Sequence, residues 1–467
     1  MARIEPMQIL KLLPQTNCKL CNETTCLAFA AKLASRGIEV TACTPLFEEA
    51  QYTEKKIQLV ELLTPPIRPV KFGPPGSERI VGGEEVLHRH ELTFYNETAL
   101  IVTLEDSLDE TKLLEEVQLF QDLTLTRIGT DLKIDGFCIR STSNDPQQFR
   151  KQVKLARNKT NLPFILTSLN PDVIRAGLEV EAKNKPLIYA ATVDNWQPMM
   201  ALAQEFNVPM VLATGTGDLN DLSSLAQTFS ASGLEIVLDA GTWINDGWMG
   251  VGFRNKIKLR QAAIIGETKT IGYPLLAVPA VAQMFLESPK VEAKQFKESL
   301  LASLLMERYS DILVVTPKQL WGIMPIMTFR QSLYSDPRIH PEVDAGLYQI
   351  NNPNEQSPVC VSTNFALTYY TIKSDFEAQK LGTWLLVANT GGLGVEASVA
   401  GGQLTTDKIV ELMEETKIAE KVKHNKIILP GLAARLSGEL EDASGWSVTV
   451  GTKDSADIKK VYDMWSP

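Results

Sequence analysis

The sequence contains few histidines and no long apolar segment, and these absences exclude several classes of protein. The longest apolar run, residues 274–286, is too short to span a bilayer and contains two prolines. The N-terminus lacks a cationic segment followed by an apolar core and a small-residue cleavage site, so we expect a cytoplasmic protein without an export signal. Lys and Arg total 46 against 56 for Asp and Glu, a net charge of −10. This charge repels polyanions, so we do not expect nucleic acid as a partner. We expect no membrane partner either, because no apolar run is long enough to span a bilayer.

The chain has 467 residues, of which 44% are hydrophobic, and it is long enough for about three folded domains. Apolar, β-rich runs alternate with helical patterns in its central part, and they begin at Ala99, Gly136, Phe164, Pro186, Pro209, Glu235, Pro274 and Asp311. Eight buried parallel strands alternating with helices are typical of a (β/α)8 TIM barrel, which we assign to residues 77–335. An open doubly wound sheet would give the same local pattern, so the closure rests on the number of strands.

The segment between the N-terminal region and the barrel is rich in proline and glycine. An amphipathic helix is predicted from Leu46 to Leu63, and a linker follows it up to residue 76. The next segment predicts a β-hairpin that turns at Gly82 and Gly83 and would form a lid. Several barrel strands end in small or polar residues, but they include no base paired with a nucleophile and no histidine cluster. A docking surface or a vestigial site is therefore as consistent with them as catalysis, and we assign no catalytic residues there.

The C-terminal zone, residues 358–467, predicts a small open α/β sheet of the Rossmann-like kind, reached through a connection over residues 336–358. Ligands of such sheets bind outside the carboxyl ends of the strands, where glycines allow close approach. Three loops would open onto that crevice: Asn389–Val395, Leu429–Leu432 and Gly451–Asp454.

Four of the six cysteines lie close together at the start of the chain, at Cys18, Cys21, Cys26 and Cys43. Soft thiolate ligands select iron–sulfur clusters or zinc. The spacing favours iron–sulfur over the paired C-x2-C pattern of zinc sites, and a disulfide is the weakest alternative in a cytosolic chain. Because this module of residues 1–64 has few apolar residues, a bound cluster would supply much of its folding energy. Cys138 and Cys360 lie in apolar runs and are predicted to be buried hydrophobic residues.

Three separated motifs carry a resemblance to a known family: PQTNCKLCNETTCLAFAAKLASRGIEVTAC, GGEEVLHRHELTFYN, and STNFALTYYTI with HNKIILPGLAARLSGELED. In this order they resemble the large subunit of the corrinoid iron–sulfur protein, the gamma subunit of acetyl-CoA decarbonylase/synthase. The resemblance extends over the whole chain. It implies a [4Fe-4S] cluster on the four N-terminal cysteines, a central barrel, and a C-terminal domain that binds a cobamide.

The resemblance also implies a function and partners. The family carries a methyl group from methyltetrahydrofolate or methyltetrahydropterin, through a methyltransferase, to CO dehydrogenase/acetyl-CoA synthase in the reductive acetyl-CoA pathway. The chain would be a methyltransferase component of a heterodimer with a smaller, barrel-shaped corrinoid protein subunit, and a reductive activator would supply electrons.

None of the four histidines lies in the D-x-H-x-x-G motif with which many proteins ligate cobalt from below. A cobamide held base-off and without an imidazole reaches the Co(I) state more easily. Occasional oxidation to Co(II) must then be repaired at low potential, which suits an iron–sulfur cluster.

Positions that match the family motifs are candidates for cobamide contacts. Hydroxyl and amide side chains on the first strand of the last domain would bind the propionamides or the nucleotide tail, and loop residues would allow close approach: Thr363, Asn364, Thr368, Gly391, Gly392, Leu393, Gly394, Gly431 and Gly451. Glu396 departs from the family pattern, and we interpret it as a first-turn helix residue favoured by the helix dipole. Two alternative functions remain at this point: an iron–sulfur electron-transfer protein without a corrin, and a methyltransferase whose barrel binds a pterin.

Overall fold

The computed structural model describes residues 4–465 except 36, 93, 95, 242–249, 284–289 and 318. The chain divides into two compact units. The first contains the residues up to 125 together with 132–335, and the second contains residues 126–131 together with 336–467.

The first unit begins with four short helices packed around a small apolar core. They are α1 (Pro6–Leu12), α2 (Cys26–Ala34), α3 (Thr44–Glu48) and α4 (Thr53–Leu63). The single helix predicted from Leu46 to Leu63 is wrong, because Glu49 adopts an extended conformation and a 3-10 turn at Ala50–Tyr52 separates α3 from α4. The core contains Ile9, Leu13, Phe29, Ala30, Leu33, Cys43, Leu46 and Leu59.

A β-hairpin follows, at a position different from the predicted one. Strands β1 (Val70–Phe72) and β2 (Arg79–Val81) pair antiparallel, so the hairpin turns within residues 73–78 and lies partly in the predicted linker. Gly82 and Gly83 have positive φ angles of 79° and 89° but come after the hairpin. A Cβ on Gly82 would lie 2.7 Å from the carbonyl oxygen of Arg68, so close packing explains the glycine. Thr93 and Tyr95 of the predicted segment lie outside the described residues.

Eight parallel strands form a nearly closed barrel, which confirms the predicted architecture. Their bounds are β3 (Ala99–Glu105), β6 (Gly136–Arg140), β7 (Phe164–Thr167), β8 (Leu187–Ala191), β9 (Met210–Ala213), β10 (Ile236–Asp239), β11 (Leu276–Ala277) and β12 (Ile312–Val315). In spatial order they run β10-β9-β8-β7-β6-β3-β12-β11. A small hairpin, β4 (Leu125–Arg127) and β5 (Thr130–Leu132), precedes β6.

The two outermost strands of the barrel meet through one parallel bridge, Leu238 with Leu275. Side chains of the helix that follows β10 complete this seam. Lys256 Nζ donates a hydrogen bond to the carbonyl oxygen of Leu276 at 2.7 Å, and Asn255 Nδ2 donates to the carbonyl oxygen of Ala240 at 3.1 Å. These side chains satisfy carbonyl groups beside the seam, that of Leu276 at the start of β11 and that of Ala240 directly after β10.

Helices surround the barrel: α5 (Glu110–Asp122), α6 (Pro146–Lys159), α7 (Pro171–Glu181), α8 (Trp196–Phe206), α9 (Leu219–Ala231), α10 (Val251–Ile264), α11 (Val291–Glu307) and α12 (Met324–Tyr334). Asp145 and Asn170 cap α6 and α7 by accepting hydrogen bonds from Gln147 N and Asp172 N. No described helix is long and apolar enough to cross a membrane.

The second unit contains a five-stranded mixed sheet. Strands β14 (Val359–Thr363), β15 (Thr383–Ala388), β16 (Lys426–Leu429) and β17 (Ser447–Val450) are parallel. Strand β13 (Gly346–Ile350) pairs antiparallel with β15, so the predicted connection over residues 336–358 is wrong in part. The helices of this unit are α13 (Ala366–Ala378), α14 (Val395–Ala400), α15 (Thr406–Glu415), α16 (Ser437–Ser444) and α17 (Lys459–Tyr462).

Strand order fixes where a ligand would bind in this sheet. The strands lie in the order β13-β15-β14-β16-β17, so the chain moves from β14 to β15 on one side and then to β16 on the other side. The carboxyl ends of β14 and β16 therefore form a topological switch point, where open α/β sheets bind their ligands.

Candidate functional site

All four N-terminal cysteines line one cavity in the first unit. Cys18 and Cys21 lie in the loop after α1, Cys26 is the first residue of α2, and Cys43 is the N-cap residue of α3. Within the described residues, no three His, Cys, Asp or Glu side chains are arranged to hold a single metal ion. The cavity thus gathers the predicted thiols without a closed mononuclear arrangement.

The loop that carries Cys18 and Cys21 is shaped by left-handed residues. Gln15, Asn17, Lys19 and Asn22 have φ angles of 60°, 50°, 61° and 61°, a conformation that costs free energy for residues other than glycine. Asn17 Oδ1 accepts a hydrogen bond from the backbone amide of Cys26 at 2.8 Å. The strained loop is thereby tied to the first turn of α2.

Helix α2 is fixed at its start by Thr25, whose Oγ1 accepts a hydrogen bond from Ala28 N at 3.0 Å. Cys43 is buried and belongs to the apolar core of the module, whereas Cys18 is exposed. Burial raises the pKa of the Cys43 thiol, and the three other cysteines act on it in the same direction. Cys43 is therefore close enough to the other three cysteines to share one cluster with them.

The second candidate site is an apolar cleft at the switch point of the C-terminal sheet. Its volume is about 490 Å³, and it lies against the ends of β14 and β16, helix α13 and the loop after β17. Apolar lining residues dominate, with threonines at its polar edge: Cys360, Val361, Phe365, Leu367, Thr368, Thr371, Ile372, Phe376, Leu385, Val395, Ile428, Leu429, Pro430, Leu432, Gly451, Thr452, Lys453, Asp454, Ser455 and Ile458.

Beside the cleft, Asn364 organises the glycine turn at residues 389–394. Its Oδ1 accepts hydrogen bonds from the amides of Thr390 at 2.9 Å and Gly392 at 3.1 Å. Its Nδ2 donates to Glu342 Oε2 at 2.9 Å. Asn364 is 2% exposed, so these bonds hold the turn from inside the protein.

Gly391 and Gly392 adopt left-handed conformations with φ angles of 63° and 68°. A Cβ on Gly392 would lie 2.6 Å from the Cβ of His340, whereas a Cβ on Gly391 would meet nothing within 4 Å. His340 Nδ1 lies 3.2 Å from the carbonyl oxygen of Gly391. Gly391 is therefore the open side of this turn, and no local sequence pattern indicates that a histidine lies beside it.

The nine predicted cobamide residues fall into separate groups. Thr368 and Gly451 line the cleft, and a Cβ on Gly394 would lie 3.9 Å from Thr368 Oγ1. Asn364, Gly391, Gly392 and Leu393 form the hydrogen-bonded turn. Gly431 packs against the backbone of residues 451–453, and Thr363 is buried with an unpartnered Oγ1.

Three positional expectations are corrected. Asn364 comes directly after the last residue of β14, Thr363, and is not part of the strand. Thr368 lies on helix α13 and not on a strand, because Ala366–Ala378 is helical despite its threonine and tyrosine residues. The first strand of the sheet along the chain is β13 and not β14. Sequence reasoning missed Phe365 and Thr371, which line the cleft. Thr368 and Thr371 are one helical turn apart, and this spacing could have indicated that both side chains lie on the same face of a helix.

Glu396 is exposed in the first turn of α14, which agrees with its interpretation as a helix-terminus residue. Cys138 and Cys360 are buried as predicted, at 2% and 4% exposure. Burial raises the pKa of Cys138 to about 11 and that of Cys360 to about 12.

At the carboxyl end of the barrel, the polar strand ends satisfy one another. Asp106 accepts hydrogen bonds from Ser141 Oγ at 2.9 Å, Thr142 N at 2.7 Å and Ser143 N at 3.0 Å. Asp239 accepts one from Tyr189 Oη at 2.8 Å, and burial raises the pKa of Asp239. These carboxylates fix loops and side chains around them.

Comparison with known proteins identifies the family. A family model described as "CO dehydrogenase/acetyl-CoA synthase delta subunit" matches residues 69–462, and one described as "Putative Fe-S cluster" matches residues 13–45. The acetyl-CoA decarbonylase/synthase complex subunit gamma 2 of Methanosarcina thermophila is 42% identical over 99% of both chains. The chain belongs to the family of acetyl-CoA decarbonylase/synthase gamma subunits. The resemblance inferred from the three motifs is thus confirmed.

Further relatives have the same extent. The gamma subunit of Archaeoglobus fulgidus is 42% identical and covers 99% of this chain and 98% of its own. That of Methanocaldococcus jannaschii is 38% identical over 98% of this chain and 95% of its own. Among solved structures, a dihydropteroate synthase from Thermus thermophilus covers 56% of this chain and 97% of its own, with 15% identity and a TM-score of 0.37.

Proposed function

We propose that this gamma-family subunit is a corrinoid iron–sulfur methyl carrier of the acetyl-CoA pathway. It accepts a methyl group from methyltetrahydrofolate or methyltetrahydropterin through a methyltransferase and delivers it to acetyl-CoA synthase. The observation that carries this proposal is the presence, in one chain, of four thiols around one cavity and an apolar cleft at the switch point of an α/β sheet. The subunit would work in a heterodimer with a smaller corrinoid protein, and with CO dehydrogenase/acetyl-CoA synthase and a reductive activator.

We propose that the chain is divided into three functional domains. Residues 1–64 would hold the cluster, with a linker to residue 76. Residues 77–335 would form the barrel, and residues 358–467 would bind the cobamide.

The N-terminal residues fit a [4Fe-4S] cluster by the chemistry of their donors. Cys18, Cys21, Cys26 and Cys43 would be its ligands, because thiolates are the usual ligands of such clusters. The exposed Cys18 side would face an electron donor, while Cys43 anchors the group in the apolar core. Asn17 and Thr25 would orient the ligands, since they fix the loop and the first turn of α2.

The cleft fits a cobamide whose nucleotide tail is detached from the cobalt. An apolar cleft between a sheet and a helix suits the flat aromatic base of the nucleotide tail. Within the described residues, the hydroxyl groups of Thr368 and Thr371 have no hydrogen-bond partner, so they are available to polar groups of the tail. The open Gly391 would approach the ring.

When bound, the cobamide supplies a low-valent cobalt that accepts and donates a methyl group, and the cluster supplies single electrons that restore its reduced state. The protein's own residues hold, orient and shield these groups. Neither histidine of the C-terminal unit lines the cleft. His424 Nε2 lies 3.0 Å from the carbonyl oxygen of Ser357, and its ring packs against Trp446 and Trp465. His424 is therefore a structural residue.

The proposal is tested by filling the cleft from one side. Thr371→Trp would place an indole in the space for the tail, and Ser374→Trp adds the same side chain at another exposed position of α13 outside the cleft. After anaerobic reconstitution of the full chain, we expect bound cobamide, measured by its visible spectrum, in the wild type and in Ser374→Trp but not in Thr371→Trp. Failure of the wild type to bind any cobamide would contradict the function, and an unaffected Thr371→Trp would contradict the site.

A further inference from the structure

We propose that Lys453 binds the phosphodiester of the cobamide nucleotide tail at the mouth of the cleft, so that affinity depends on an intact tail. The inference rests on the proposed cobamide-binding function and adds a residue that selects complete over truncated corrinoids.

The first observation is the distribution of charge in the cleft. Among its lining residues, only Lys453 and Asp454 carry a formal charge. Asp454 is engaged, because its Oδ1 accepts a hydrogen bond from the amide of Ala456 at 3.0 Å and caps a 3-10 turn. The nearby carboxylate of Asp375 accepts a hydrogen bond from Ser455 Oγ.

Lys453 differs from these groups because its charge is uncommitted. Its side chain is exposed and makes no ion pair or hydrogen bond within the described part of the chain. A single free ammonium at the edge of an otherwise apolar cleft suits a ligand with an apolar end and one negative charge. The nucleotide tail of a cobamide has this form, because an aromatic base is joined through a ribose to a phosphodiester.

The second observation concerns the backbone beside Lys453. A Cβ on Gly431 would lie 2.8 Å from the amide nitrogen of Lys453 and 2.9 Å from the carbonyl oxygen of Gly451. Glycine at position 431 therefore allows the two loops to pack closely at that amide, and the amide has no acceptor among the described residues. An N–H group next to an ammonium is a common arrangement for binding phosphate oxygens.

Backbone hydrogen bonds between neighbouring loops hold the side chain and the amide of Lys453 in place. Gly431 N donates a hydrogen bond to the carbonyl oxygen of Thr452 at 3.0 Å, and Gly451 N donates to that of Leu429 at 2.8 Å. The loops after β16 and β17 therefore keep Lys453 at the mouth of the cleft without a contribution from its side chain. Replacing that side chain should leave the fold intact.

The test compares two corrinoids with the anaerobic full chain: cobalamin, which has the tail, and cobinamide, which lacks the phosphodiester, ribose and base. Lys453→Met should weaken cobalamin binding about fivefold, as for one charge-assisted hydrogen bond at an exposed position. Its affinity for cobinamide should equal that of the wild type. Lys453→Arg should retain cobalamin binding, and the difference should shrink as salt screens the charge.

Lys459→Met is the matched control, because it removes one exposed positive charge of the same unit outside the cleft lining. Equal affinities of wild type and Lys453→Met for cobalamin would overturn the inference and leave the proposed function standing. An equal loss for both corrinoids would also overturn it, because the lost contact would then not be to the tail. A wild-type chain that binds neither corrinoid would overturn the proposed function itself.

Discussion

Asn364 offers the sharpest test of how the C-terminal site is built. Asn364→Ala removes the acceptor of the amides of Thr390 and Gly392, both of which are buried at this contact. A buried donor left without a partner costs about 1–3 kcal/mol, so the two together cost about 2–6 kcal/mol. The exposed Glu342 can replace its lost donor with water.

Asn389→Ala is the matched control in the same turn. Asn389 is exposed and its Oδ1 accepts one hydrogen bond, from Gly391 N at 3.0 Å. Its loss should cost less than about 1 kcal/mol. Asn364→Asp cannot serve as a control, because it would replace the donor to Glu342 Oε2 with a second carboxylate at a buried position.

The assay is urea unfolding followed by tryptophan fluorescence, together with cobamide binding. The C-terminal unit contains Trp384, Trp446 and Trp465. With a urea dependence of about 2 kcal/mol per molar, Asn364→Ala should lower the unfolding midpoint of this unit by about 1–3 M. Cobamide affinity should fall with it, because the turn loses its support. Equal midpoints for Asn364→Ala and Asn389→Ala would show that Asn364 does not support the turn.

Three further predictions concern the thiols and the barrel. Cys21→Ala should leave methyl transfer from the reduced corrinoid nearly intact but abolish reactivation of the corrinoid after oxidation. Cys138→Ala is the control and should change neither activity. Equal loss of both activities in Cys21→Ala would count against the proposal that the cluster supplies electrons to the oxidised cobalt. In the iron-free chain at pH 8, iodoacetamide should modify the exposed Cys18 before the buried Cys138 and Cys360. Burial raises the pKa values of those two thiols to about 11 and about 12, so little reactive thiolate is present. Mass spectrometry of the modified peptides checks the order of modification. Burial raises the pKa of Asp106, but the hydrogen bonds from Ser143, Thr142 and Ser141 outweigh it, and the net pKa is lowered. The ionised Asp106 carboxylate therefore stabilises the fold above its unfolded pKa, and this stabilisation is lost as the pH falls through the folded pKa. The free energy of unfolding of Asp106→Asn should fall furthest below that of the wild type at pH 7, and the difference should shrink below about pH 4. A difference that does not change with pH would contradict this.

Much of the barrel could be predicted from the sequence, because each strand is a nearly continuous apolar run buried on both faces. The closure could be inferred only from the number of strands, because no sequence pattern indicates the bridge of Leu238 with Leu275 or the hydrogen bond from Lys256 Nζ to Leu276. The hairpin was misplaced because Gly82 and Gly83 signal positive φ angles without saying whether a turn or close packing requires them.

The candidate sites, too, could be predicted from the sequence only in part. Local spacing was enough to bring the four cysteines to one cavity, and strand-end loops located the general region of the cleft. The distinction between residues that line the cleft and residues that support a turn required the structure. Asn364 has the chemistry of a ligand-binding residue, yet its amide is occupied by Thr390, Gly392 and Glu342. His340 reaches the glycine turn only through the tertiary fold.

The proposed function requires that one chain hold both an iron–sulfur cluster and a corrinoid whose cobalt has no imidazole beneath it. Low-temperature electron paramagnetic resonance of the anaerobically reconstituted full chain examines both groups, first with cobalt as Co(II) and again after reduction of the cluster. We predict a Co(II) signal without nitrogen splitting, unchanged in His340→Ala, and a [4Fe-4S] signal that Cys21→Ala abolishes. Nitrogen splitting that disappears in His340→Ala, or the absence of either metal signal from the wild type, would show that the chain is not such a carrier.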